Sequence, residues 1–244
     1  MRTVSNVIFV SLLIVACIFP SLAKCQVPSQ ERPLEPGRLA DNSAPTNNPA
    51  EPERKRLFGI IPNYRSATIP KPYIPIGAEE KFKIATKDSF DRGTAILAVA
   101  FAGEGQLANS NPEFGHGAAA YGRYLGTSYA DFVIGDYLTE AIFPSMLRQD
   151  PRYFRRGSGG TLSRLGYAAG QIFWTHNDSG KSAFNFSEVG GNATAVGISN
   201  AYYSGSRDVG DNVTKLGTQL GVDMAANILK EFSSDIYRKF SRKH

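Results

Sequence analysis

Three pairs of glycines at four-residue spacing, Gly122/Gly126, Gly166/Gly170 and Gly217/Gly221, sit inside stretches that otherwise read as helices. A glycine in a helix interior costs about 1 kcal/mol relative to alanine, so these rows demand compensation. Close approach of two helix backbones, where a side chain would not fit, supplies it. The rows therefore predict an all-α fold, a compact bundle of about five to six Gly/Ala-rich helices nested along small-residue faces. The longest row is Ala118, Gly122, Gly126 and Ala130, with Tyr121, Tyr124, Leu125, Tyr129 and Phe132 on its shoulders.

Start and stop signals agree with helix. Asp88 and Asp91 precede the apolar run 94–102, and Asn111-Pro112-Glu113 sets a cap, a first-turn proline and an acid in order. Thr161 heads a helix over 162–175. Asn185 with Glu188 makes a capping box for 189–203, and Asp208 with Asp211 does so for a last helix reaching about 240. In that last helix Val213, Leu216, Leu220, Met224, Ile228 and Phe232 form an apolar stripe expected to face the core. Pro144 is expected to kink or end the helix after Pro112. Asp150-Pro151, the glycines at 157–160, Asp178-Ser179-Gly180 and Ser204-Gly205 are breaks. A β-barrel is the alternative, but alternation over about ten residues is absent.

Ahead of this domain the composition changes twice. Residues 1–23 read as a secretory signal peptide: Arg2, an apolar run over 7–19 too short to cross a bilayer, then Ser21-Leu22-Ala23. Lipid attachment at Cys17, after Ile14-Val15-Ala16, is the rival. Cleavage after Ala23 leaves Cys25 alone, so the fold is expected to hold without an intrachain disulfide. Residues 24–56, rich in Pro, Glu, Asn, Ser and Arg, are expected to be a disordered tether. Residues 57–78, with Pro70, Pro72 and Pro75, read as an extended arm. Residues 79–240 form the helical domain, long enough for one core.

The densest polar cluster is Arg148-Gln149-Asp150-Pro151-Arg152-Tyr153-Phe154-Arg155-Arg156. Guanidinium groups beside aromatic rings suit a phosphate or carboxylate, such as an anionic lipid head group. Arg148, Arg152, Tyr153, Arg155 and Arg156 are thus the candidate contacts with an anionic lipid or ligand. The opposing reading is a helix-ending loop in which Asp150 pairs with an arginine and Tyr153 and Phe154 pack inward. The basic end Arg238-Lys239-Phe240-Ser241-Arg242-Lys243-His244 suits a negative membrane or a solvated tail equally.

Asp131, Asp136 and Glu140 share a helix without a His or Cys at ligand spacing, which favours surface solvation or pairing with arginines. His116 and His176 lack metal-helix spacing, and no metal or cofactor is expected. Asn192, Asn200 and Asn227 lie in small or apolar faces and are expected to bond across helices; a polar pocket is the alternative. No nucleophile elbow, Walker loop or dinucleotide fingerprint occurs. A sequence pI of about 9.2 does not point to nucleic acid in an exported chain without a nucleic-acid fold signature.

The segment 144–155, Pro-Ser-Met-Leu-Arg-Gln-Asp-Pro-Arg-Tyr-Phe-Arg, resembles one in uncharacterised exported envelope proteins of Gram-negative soil bacteria, of acidobacterial type. Asp178-Ser179-Gly180, Phe184-Asn185-Phe186-Ser187-Glu188 and Ser199-Asn200-Ala201-Tyr202-Tyr203 are similar too, over about 81–232. The resemblance implies an envelope location and a helical domain, and carries no activity. The expectation is an exported, non-enzymatic module in the periplasm or at the outer membrane, meeting an anionic membrane surface or another envelope component. A lipid or small-molecule binding protein stands second and a hydrolase-like enzyme third.

Overall fold

Helix α1 (Ala78–Ser89) opens with Glu79 and Glu80 in its first turn and carries Lys87 in its last, which complements the helix dipole at both ends. The computed structural model describes residues 56–57, 61–62, 66–67, 73–205 and 207–241, all within the unit Arg54–His244. The expected leader and most of the tether, with Cys17 and Cys25, lie outside the described residues, as do the side chains of the basic tail.

Asp91 caps α2 (Arg92–Leu107) by accepting from the Gly93 N–H at 2.7 Å, while the Thr94 hydroxyl donates to Asp88 O at the end of α1. Pro112–Phe114 makes one 3₁₀ turn instead of starting the next helix, and α3 (Gly117–Asp136) follows. It runs through a π-helical segment, Tyr137–Ile142, into α4 (Phe143–Leu147). Pro144 has no N–H and its ring would press on the carbonyl four residues back. The wider π turn accommodates it, as the kink expectation required, and Arg148 closes α4 in the left-handed conformation with φ 51°.

After α5 (Thr161–Gly170) the chain departs from the expected helix over 162–175. Two short strands, β5 (Trp174–His176) and β6 (Ser182–Phe184), pair antiparallel with Trp174 opposite Phe184 and Thr175 opposite Ala183. Their turn is organised by the Asn177 side-chain Oδ1, which accepts from the Ser179 and Lys181 N–H groups. Asn185 caps α6 (Phe186–Ser199) through Glu188 N–H, and Asp208 caps α7 (Val209–Ser241) through Asp211 N–H. The remaining strands are two-residue pairs: β1 (Arg56–Leu57) with β2 (Ile61–Pro62), and β3 (Ser66–Ala67) parallel to β4 (Tyr153–Phe154). The fold is all-α, as expected.

Its interior is unusual. Among the described residues the buried apolar set is nearly half alanine, and buried polar or charged residues outnumber it, Lys81, Asp150, Glu140 and Glu231 included. Large apolar side chains meanwhile stand outside, among them Ile96, Val99, Leu107, Met146, Leu162, Trp174, Phe186, Ile198 and Val213. On α6 the buried face mixes Ser187, Glu188, Asn192 and Ser199 with Ala195 and Val196, while Phe186, Ala193, Gly197 and Ile198 are exposed.

The glycine rows must be corrected accordingly. A Cβ built on Gly122, Gly126, Gly166, Gly170, Gly217 or Gly221 meets nothing within 4 Å, and all but half-buried Gly170 are exposed. The rows belong to the outward faces, and among the described residues no neighbouring helix nests on them. Close approach occurs elsewhere. At Gly191 on α6 a Cβ would lie 2.8 Å from Thr139 Cγ2 and 3.1 Å from the Leu138 carbonyl carbon, so α6 seats its backbone on the π segment. The stripe of α7 is also not the core face: Val213 is exposed, the other five positions are half-buried, and Leu229, Lys230, Glu231 and Ser233 are the buried ones.

Candidate functional site

The 148–156 loop is fastened from both sides. Asp150, 2% exposed, binds Arg152 through two oxygens, at 3.0 Å from Nε and 2.7 Å from Nη2, and accepts from the Tyr73 hydroxyl at 2.5 Å. Burial and then the bond to Asp150 push the Tyr73 phenol well above its ordinary range. Gln149 reaches the hairpin and α6 together, donating to Phe184 O at 2.6 Å and accepting from Ser187 N and Oγ. Thr175 donates to Asp150 O at 2.8 Å.

One step along, Tyr153 is buried and its hydroxyl donates to Glu231 Oε2 at 2.8 Å. Glu231 is fully enclosed: Oε2 also accepts from Arg156 N–H, and Oε1 accepts from Gly157 N–H at 2.9 Å and Arg164 Nε at 2.8 Å. Gly157, with φ 67°, takes the left-handed conformation that turns its N–H toward the carboxylate. Burial alone would raise the Glu231 pKa, but Arg164, Gly157, Tyr153 and Arg156 outweigh it and hold the carboxyl below its ordinary range. Arg164 completes the seam by donating to Asp235 Oδ2 at 2.5 Å and to Glu231 O at 2.7 Å. Its guanidinium lies 4.5 Å from the Phe232 ring centroid.

Three of the five candidate contacts are thereby held within the fold. Arg152 serves Asp150 and Tyr153 serves Glu231; Arg155 donates to Ser234 Oγ. Arg148 and Arg156 remain exposed, Arg156 within 5.9 Å of the Tyr167 centroid and bonded to Ser163. The loop is the helix-ending structure of the opposing reading, with two of its cations outside. Glu231 and Arg164, 67 residues apart, carried no local pattern that reveals their pairing.

The other charged groups resolve separately. Asp131 accepts from the Tyr202 hydroxyl at 2.5 Å and the Tyr203 hydroxyl at 2.7 Å. Burial raises its pKa, and the two phenols and Lys215 offset that only in part. Asp136 accepts from Ser89, and Glu140 is buried rather than solvated, contrary to the surface expectation. His176 packs on Phe154 at 5.0 Å between centroids, and His116 is exposed. Asn192 donates to Asp223 at 3.1 Å and Asn200 accepts from Lys215 at 3.1 Å, the cross-helix bonds expected of them. A shallow depression of about 430 Å³ lies along α1, lined by Ala78, Glu79, Phe82, Lys83, Thr86 and Lys87, none of them the asparagines. Among the described residues no group of three or more His, Cys, Asp or Glu is placed to hold a metal ion, and no helix is long and apolar enough to cross a membrane.

No protein-family model matches the chain, and neither a curated protein nor a solved structure is similar to it.

Proposed function

We propose that this chain is an exported, non-enzymatic envelope protein, periplasmic or at the outer membrane, whose helical domain associates with a membrane. The observation that carries the reading is the number of large apolar side chains left outside. Charged side chains such as Lys81, Asp150, Arg164 and Glu231 take interior positions, while Ile96, Val99, Leu107, Leu162, Phe186 and Ile198 face outward. Apolar surface left in water forfeits about 25 cal/mol per Å², so an exterior of this kind favours an apolar environment. The outward glycine rows fit the same reading, because small residues present a flat face to whatever lies against it. The leader-like residues 1–23 and the resemblance to exported envelope proteins support the location.

Co-sedimentation of the purified chain with vesicles containing an anionic phospholipid, at low salt, tests it. Binding is the expected result. A chain that stays in the supernatant at every lipid concentration removes the membrane from the proposal.

A further inference from the structure

Four aromatic rings gather on the hairpin that the helical reading had not anticipated. Phe184 is the hub: Phe186 lies 4.9 Å from it between centroids, Trp174 6.1 Å and Phe173 6.5 Å. Three of them face solvent, Phe173 at 40%, Trp174 at 54% and Phe186 at 60% exposure. Single exposed apolar residues need no explanation, but a contiguous aromatic group does. The cluster is held rigidly, since Gln149 clamps Phe184 O to the start of α6.

The segment that carries it is basic. Residues 141–187 carry six Lys or Arg, two Asp and no Glu. Both acids are paired, buried Asp150 with Arg152 and half-buried Asp178 with Lys81 at 3.0 Å. The exposed charges left are Arg148, Arg156 and Lys181. Lys181 belongs to the hairpin turn, and Arg148 adjoins it, its carbonyl accepting from Asp178 N–H at 2.9 Å. Met146 and Leu147, both exposed, precede Arg148.

Resting on the membrane reading above, we infer that this hairpin face is where the protein enters an anionic bilayer surface. Phe173, Trp174 and Phe186 insert at the head-group level, while Arg148 and Lys181 meet lipid phosphates. Tryptophan and phenylalanine favour that depth because their rings are apolar and tolerate a wet edge. Cations beside them gain from the negative surface potential, and pairing Asp150 with Arg152 and Asp178 with Lys81 weakens the repulsion that would oppose docking. A protein partner would be expected to offer acids as well, but exposed Arg148 and Lys181 beside the rings, with both acids of the segment already paired, give a continuous negative lipid surface the better complement.

Trp174 is the only tryptophan in the chain, so its emission reports this face alone. The full chain is titrated with vesicles of phosphatidylcholine with or without phosphatidylglycerol, some carrying brominated acyl chains. Expected are a blue shift and quenching of Trp174 with the anionic vesicles, weakened by salt. R148Q/K181Q should partition about thirtyfold more weakly, and F173S/F186S should lose most of the shift while keeping the wild-type circular dichroism. Co-sedimentation without any change at Trp174 overturns the hairpin assignment and leaves the proposed function standing. No co-sedimentation overturns both. A concentration-dependent blue shift without lipid, with a dimer in ultracentrifugation, overturns the inference in favour of contact between two copies.

Discussion

The inner and outer surfaces of these helices use the same residue types to opposite ends. Inside, glycine at 191 marks a backbone seated on another backbone, and charge at Glu231 is enclosed by four donors. Outside, a Cβ at glycines 122, 126, 166, 217 or 221 would meet nothing within 4 Å, and apolar Leu162, Leu165 and Val213 stand exposed near the later two pairs. The contrast teaches that helical spacing identifies which residues share a face but not which way the face is turned. That orientation is decided by what surrounds the bundle.

The largest test of the contrast is at Glu231. Glu231→Ala leaves Arg164 and Tyr153 buried without their acceptor and should cost about 3–5 kcal/mol in urea unfolding. A loss below about 1 kcal/mol would reduce the seam to the rank of a surface pair. Next is Gly191→Ala. Its new methyl meets backbone as well as Thr139, which cannot yield cheaply, so a loss of about 1–3 kcal/mol is expected in the same assay.

Smaller is the response to pH, in which enclosed Glu231 and half-buried Asp131 act with opposite signs. Glu231 titrates below its unfolded value, so its contribution is present above about pH 4.3 and is lost as pH falls through the lower folded value. Asp131 titrates above its unfolded value, so its ionised form is the costly one and acidification relieves that cost first. The melting temperature should hold or rise slightly as pH approaches the ordinary carboxylate range and fall beneath it. In Glu231→Gln the Glu231 share of that acid fall should vanish.

Smallest is the outer face. Gly122→Ala, Gly166→Ala and Gly217→Ala each meet open space and should stabilise the isolated chain by about 0.5–1 kcal/mol. Destabilisation measured by calorimetry would mean that these faces are covered after all.

Local features were legible in the sequence. Asp91, Asn185 and Asp208 cap helices where their spacing indicated, because a cap is settled within four residues. Pro144 disturbs its helix as expected for the same reason. What could not be read is set at a distance. Trp174–His176 and Ser182–Phe184 are too short to show an alternating period, and the apolar content of 162–175 suited a helix as well. The stripe on α7 did not mark the buried face, because the residues enclosed there, with Glu231 among them, are those that meet Arg164 and the 153–157 loop. In the 148–156 loop the pairing of Asp150 with Arg152 spans two residues and was within reach, whereas the 78-residue link from Tyr153 to Glu231 was not.

The side chain of Lys81 donates to Pro144 O and to Asp178, 63 and 97 residues further on. A chain made from its amino end therefore carries this ammonium without its mates until the hairpin turn has emerged. Arg164 and Tyr153 wait in the same way for Glu231. Local helices can form early, but the last third of the chain must arrive before the interior closes, which leaves a long interval in which the nascent polypeptide stays open to chaperones and slow to commit.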